Sequence, residues 1–166
     1  MTERACVISD AGPIIHLDEL GCIDLFAGLG DLIIPEVVWQ EVQRHRPTLS
    51  IESIPSARIV PSEPVDATLQ ALARAFDLDA GEIAALAVLR QRSARMLLCD
   101  DSAARLAAES LGVEVRGTIG LIVRAIRTKL RTPEEVRHLL TNLTSQSTLH
   151  VSQALLRQVL SQLPAP

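Results

Sequence analysis

A chain of 166 residues with 48% hydrophobic and 22% charged residues can bury a sizeable core, which excludes a disordered polypeptide. Its only aromatic residues are Phe26, Trp39 and Phe76, so the core must be built from Leu, Ile, Val and Ala. The same scarcity argues against the exposed aromatic platforms of RRM and OB modules, and a net charge of −4 argues against a bulk-basic nucleic-acid binder.

Along the chain, apolar runs that read as buried strands alternate with amphipathic helical stretches. Residues 5–9 (ACVIS) read as the first strand, followed by a helix from Pro13 to about Leu20 that continues briefly to Phe26. Residues 31–34 (DLII) read as a second strand, and Pro35 suits the first turn of a helix to about Arg44. The stretch 47–64 carries Pro47, Pro55, Pro61 and Pro64 and reads as a loop, with ARIV at 57–60 as a short strand. Helices follow at about 65–75 and 80–93. Residues 95–99 (RMLLC) lack alternation and read as a central strand.

A helix from about 102 to 111 stops at Gly112, residues 113–116 (VEVR) form another strand, and Thr118 opens a helix to about Arg127. Thr132 and Glu135 have the spacing of a capping box. A last unit, LHVS, leads into a helix to about Leu163. This alternation predicts an α/β domain with a central parallel sheet and helices on both faces. One domain over 1–166 is expected, with about 132–166 as a C-terminal helical appendage.

Cys6, Cys22 and Cys99 fit no zinc spacing and read as small core residues in a reducing cytoplasm. No stretch has the length and apolarity of a membrane span, and the opening MTERACVISD lacks a signal-peptide core. A cytoplasmic location without membrane contact is therefore expected.

Ligands of open α/β sheets bind outside the carboxyl ends of the strands, where strand order switches. Asp10 directly follows ACVIS, and Asp100 and Asp101 directly follow RMLLC. Each acid also has an ordinary use. Asp10 before Ala-Gly-Pro can form a turn, one of the Asp100–Asp101 pair can cap the next helix, and Glu41 can be a solvated helical residue. Asp79 and Glu82 have capping-box spacing. A single cap needs one carboxylate, and a second charge beside it adds repulsion unless a cation is present. A hard divalent cation with oxygen ligands would turn that repulsion into attraction, activate water and neutralise a phosphate. No G-x-S-x-G nucleophile elbow occurs.

Five segments together resemble the PIN-domain nucleases. VISDAGPIIHLDELGCIDLF is similar to the opening of one branch, and IIPEVVWQEV to its second helix, which ends on Glu41. DAGEIAALAVLRQ is similar to the helix that bears the mid-chain acid, here Glu82. MLLCDDSAARLAAESLGVEVRGTIGLI matches the strand, Asp-Asp, helix and Gly-Thr block, and LHVSQALLRQVL the closing segment. Nearly the whole chain is covered. Two departures stand out: Ala11 follows Asp10 where many members place a hydroxyl residue, and the mid-chain acid is Glu.

The resemblance implies a Rossmann-like PIN fold and cleavage of single-stranded RNA with Mg²⁺ or Mn²⁺. Many relatives are toxins of VapC-like toxin–antitoxin pairs, which implies an antitoxin protein and a homodimer as partners. Asp10, Glu41, Glu82 and Asp101 are then the catalytic acids. Asp10, Glu82 and either or both of Asp100 and Asp101 are the metal ligands. Arg44 and Arg46, with His45, follow Glu41 and are candidates for substrate phosphate; Arg124, Arg127, Lys129 and Arg131 form a second basic cluster. Either cluster can equally be helix C-terminal cations that favour the macrodipole.

Three other readings compete. A catalytically silent PIN-like scaffold would bind only a partner protein. A receiver-like Mg²⁺-binding signalling domain also gathers acids, but its acid pair follows the first strand. A haloacid-dehalogenase phosphatase needs Asp-x-Asp after that strand, where this chain reads Asp10-Ala11-Gly12.

Overall fold

Short apolar runs, each followed by an extended capping residue and an amphipathic stretch, produce the observed succession of strands and helices. The computed structural model describes residues 5–165. Its strands are β1 (Cys6–Ser9), β2 (Asp31–Pro35), β3 (Ala57–Val60), β4 (Met96–Leu98) and β5 (Glu114–Arg116). Between and after them lie α1 (Ala11–Glu19), α2 (Glu36–His45), α3 (Ala67–Phe76), α4 (Ala80–Gln91), α5 (Ser102–Ser110) and α6 (Thr118–Arg127). The chain closes with α7 (Pro133–Thr141), α8 (Leu143–Gln146) and α9 (Gln153–Gln162).

The five strands form one parallel sheet in the order β3-β2-β1-β4-β5. Successive strand residues point to opposite faces, yet Leu32, Ile33 and Ile34 are all fully buried, as are Val7 and Ile8 beside them. Both faces of the sheet centre are therefore covered by helices, as the unalternating runs predicted. The chain winds outward from β1 through β2 to β3, then returns to β4 on the other side of β1. The β1–β4 junction is thus the point where strand order reverses. Its register pairs Ser9 with Leu98, so the two strands end level. The Asp10 N–H donates to the Leu98 carbonyl at 2.9 Å, which carries the pairing one residue further.

Some details differ from the sequence-based expectation or add to it. Helix α1 begins at Ala11, so Pro13 falls inside its first turn, where a missing N–H costs nothing. Pro35 ends β2 and is the extended residue before α2 rather than its first helical residue. Residues 149–152 have no regular structure, and the short helix α8 was not foreseen.

The segment after Thr132 packs into the same core as the sheet. Thr132 and Glu135 make the expected capping box, Glu135 N–H to the Thr132 hydroxyl at 3.2 Å and Thr132 N–H to the Glu135 carboxylate at 2.7 Å. Val136, Leu140 and Leu143 are fully buried in the cluster that contains β1 and β2. The stretch between α8 and α9 is latched to α1, where Glu19 accepts from the Thr148 N–H at 2.8 Å and from its hydroxyl. On α2, the half-buried Trp39 rests against the core. Among the described residues no helix is long and apolar enough to cross a membrane.

Candidate active site

Strand order brings the acids together that the sequence scatters. Asp10 stands at the end of β1, 8% exposed, in the extended residue before α1 but without a side-chain capping bond to that helix. Helix α4 crosses against β1 and β2 and presents Gly81 and Glu82 to the same place. A Cβ at Gly81 would lie 3.0 Å from Oε2 of Glu41 and 3.6 Å from Oδ1 of Asp10. The missing side chain at 81 is what lets α2 and β1 bring those two carboxylates to one spot. Asp101, exposed at the end of β4, lies against Glu82.

The carboxyl groups perturb one another as close acids must. Burial, then the neighbouring Glu41, Asp79 and Glu82, pushes the Asp10 carboxyl up to about 7. Burial, then Asp79 and Asp101, likewise raises Glu82 to about 7. Burial and Asp79 raise Glu41 as well, with His45 and Arg44 opposing. Some of these acids also hold the backbone. Glu82 accepts from the Asp79 N–H at 2.9 Å and Asp79 from the Glu82 N–H at 2.8 Å, the capping box of α4. One oxygen of Asp101 accepts from the N–H groups of Ala103 and Ala104, capping α5.

The Asp100–Asp101 pair divides between two environments. Asp100 turns inward. Its Oδ1 accepts from the Thr118 N–H at 2.7 Å, and its Oδ2 accepts from the Thr118 hydroxyl at 2.6 Å and lies 2.8 Å from His16 Nδ1. Asp100 therefore ties β4 to α1 and to the start of α6, and both of its oxygens are engaged. Asp101 is the member of the pair that faces the acid cleft. Beneath the cleft, the buried Cys99 thiol donates weakly to Oδ2 of Asp10 at 3.7 Å; burial and Asp10 push that thiol up, so it stays neutral. The capping box read from Asp79 and Glu82 and the burial of Cys99 are as expected, whereas the place of Asp79 and Cys99 beside Asp10 and the ties of His16 and Thr118 to Asp100 were not read from the sequence. Only the Gly-Thr pair at 117–118 carried a signal that could have found one of them.

The basic residues are dispersed differently from the expectation. Arg44 and His45 lie close enough to Glu41 to lower its proton affinity. Arg46 instead pairs with Asp18 on α1. In the second cluster, Arg124 donates to the Leu25 and Ala27 carbonyls and Arg131 grips Asp24 with both terminal nitrogens. These two secure the turn at 23–27, whereas Arg127 and Lys129 are exposed.

The cleft offers only carboxylate oxygens, the donor chemistry of Mg²⁺ or Mn²⁺. As placed, no group of three or more His, Cys, Asp or Glu among the described residues is arranged to hold a metal ion. The fit therefore rests on the donor set and on the crowding of acids around Asp10, with Asp10, Glu82 and Asp101 the side chains available.

No significant match was found among curated proteins. The family model of the PIN domain matches residues 6–164, a stretch that contains all five strands and every acid of the cleft. PIN domains are generally nucleases, which suits an acidic cleft at a strand-order switch, and the chain belongs to the PIN-domain family.

Proposed function

We propose that the chain is a metal-dependent endoribonuclease that cleaves single-stranded RNA, and that it is the VapC-like toxin of a type II toxin–antitoxin pair. The observation that carries the nuclease reading is the meeting of Asp10, Glu41, Glu82 and Asp101 at the carboxyl ends of β1 and β4. The sequence resemblance alone supports the antitoxin partner, the homodimer and the cytoplasmic setting.

In this reading Asp10, Glu82 and Asp101 hold Mg²⁺ or Mn²⁺, which when bound supplies positive charge against the phosphate and acidifies a water. Glu41 orients the attacking water by hydrogen bonding, its position set by the gap at Gly81. Arg44 and His45, beside Glu41, attract the phosphates of the strand. Asp100 holds no substrate; through Thr118 and His16 it fixes the loop that carries Asp101. The products expected are a 5′-phosphate and a 3′-hydroxyl.

The test is cleavage of end-labelled single-stranded RNA in Mg²⁺ or Mn²⁺, with and without EDTA, wild type beside Asp10→Asn. Cleavage should need the metal and vanish in the variant. A folded Asp10→Asn protein that cuts as fast as wild type, or cutting that EDTA leaves untouched, overturns the reading.

A further inference from the structure

Beyond Asp100, on the side away from Glu41, the structure holds a cavity of about 440 Å³ between α5, the start of α6 and the irregular residues 149–151. Val115, Ile119, Leu149 and Val151 supply apolar walls, and Arg105, Arg116 and His150 supply polar groups. Its lining includes Asp100 and Ser102, the two sequence neighbours of Asp101, so the cavity borders the loop that carries that cleft acid. Two glycines, Gly117 and Gly120, leave room there; a Cβ at Gly117 would meet Asp100 Oδ1 at 2.7 Å and Arg105 Nη1 at 3.0 Å. Each guanidinium group has a partner that orients it. Arg116 is held by Glu114 at 2.7–2.8 Å, and Arg105 donates to the Cys99 carbonyl at 3.1 Å.

An apolar slot with a few fixed polar groups, within the roughly 300–1,000 Å³ of small-molecule sites, suits a flat heterocycle better than a phosphate. A phosphate would also face the Asp100 carboxylate. Single-stranded RNA is read by splaying out a base, stacking it on an aromatic ring or an Arg plane and bonding its edge. None of the three aromatic residues lines this cavity, and two arginines do. Arg donors match the O6 and N7 acceptors of guanine.

We propose that the cavity between α5, α6 and residues 149–151 receives one unstacked guanine base of the RNA strand, beside the phosphate being cut. The proposal rests on the ribonuclease reading above and gives that site a nucleotide preference. Gly120→Leu fills the slot, since the nearest atom to an added Cβ is Arg116 Cβ at 3.9 Å, and Arg116→Met removes the donors of that guanidinium without adding bulk.

The test has two arms, both on the full chain. In EDTA, with no cleavage running, each of the four nucleoside 5′-monophosphates is titrated while the methyl NMR signals of Ile119 and Val151 are followed. GMP should shift them with an affinity about tenfold above that of CMP, and each variant should lose the difference. In Mg²⁺, cut sites on a random-sequence RNA are mapped. Wild type should show guanosine enriched at one fixed position beside the cut, and both variants should still cut but without the enrichment. Unmoved methyl signals, or wild-type cutting with no positional preference, overturns the cavity assignment and leaves the nuclease reading standing. GMP binding at these methyls without RNA cleavage supports the nucleotide site and removes the nuclease reading instead.

Discussion

Nδ1 of His16 and Oδ2 of Asp100, 84 residues apart in sequence, stand 2.8 Å from each other. The contact joins the middle of α1 to the residues just after β4, the segments that follow the two strands whose level ends flank the acid cleft. With the two Thr118 bonds it separates the work of two adjacent aspartates, one structural and one facing the cleft.

The separation predicts opposite phenotypes for the same substitution at 100 and 101. Asp100→Asn loses an acceptor for the Thr118 hydroxyl or His16 and should cost about 1–3 kcal/mol in denaturant unfolding. Asp101→Asn keeps a capping side chain for α5 and should unfold within about 1 kcal/mol of wild type while losing RNA cleavage. Equal stabilities for the two variants would contradict the assignment.

Asp10→Asn should be inactive yet at least as stable as wild type in metal-free buffer near neutral pH. The substitution removes a buried charge that Glu41, Asp79 and Glu82 oppose. Thermal unfolding in EDTA checks this, and a clear drop in Tm would show that the Asp10 carboxylate stabilises the fold.

Stability without metal should fall as pH rises. Asp10 and Glu82 bind protons more tightly in the folded chain, at about 7, than at their ordinary values of 3.8 and 4.5. Folding therefore takes up protons between those limits, so the unfolding free energy is larger below the window and declines through it. A loss of on the order of a few kcal/mol is expected from about pH 5 to about pH 8. The slope should flatten in Asp10→Asn and in Glu82→Gln, and a wild-type curve that rises over this range would refute the crowding of these acids.

Gly81→Ala should separate stability from activity. In the first turn of α4 an alanine is favoured over glycine by at most about 0.5–1 kcal/mol. Its Cβ would press on Glu41 Oε2 at 3.0 Å and approach Asp10 Oδ1 at 3.6 Å. Misplacements of about 1 Å in such sites can cost on the order of 100-fold in rate. The variant should melt near or above wild type while cleavage falls at least about tenfold, read as kcat on saturating RNA.

Local pattern carried most of the fold. Unbroken apolar runs marked the strands, capping residues marked α4, α5 and α7, and ARIV was read as β3 despite the prolines around it. What the sequence left open was settled by distant partners. Pro13 is compatible with several helix starts, and the β1–β4 pairing puts the start at Ala11. Residues 143–152 have no clear periodicity of their own and are placed instead by Glu19 and by packing on the core. Asp10 and the Asp100–Asp101 pair were legible because they directly follow strands, whereas Glu41 and Glu82, inside α2 and α4, were singled out by the family resemblance. The split between Asp100 and Asp101, the pairing of Arg46 with Asp18 and the thiol under Asp10 were not legible, since each depends on a side chain far away in the chain.

Trp39 gives the molecule an optical property of its own. The chain has one indole and no phenol, so ultraviolet-excited emission arises almost wholly from α2, two residues before Glu41. Intensity or wavelength changes on adding Mn²⁺ or oligonucleotide would come from the helix that carries a cleft acid, with no engineered dye and no second emitter to subtract.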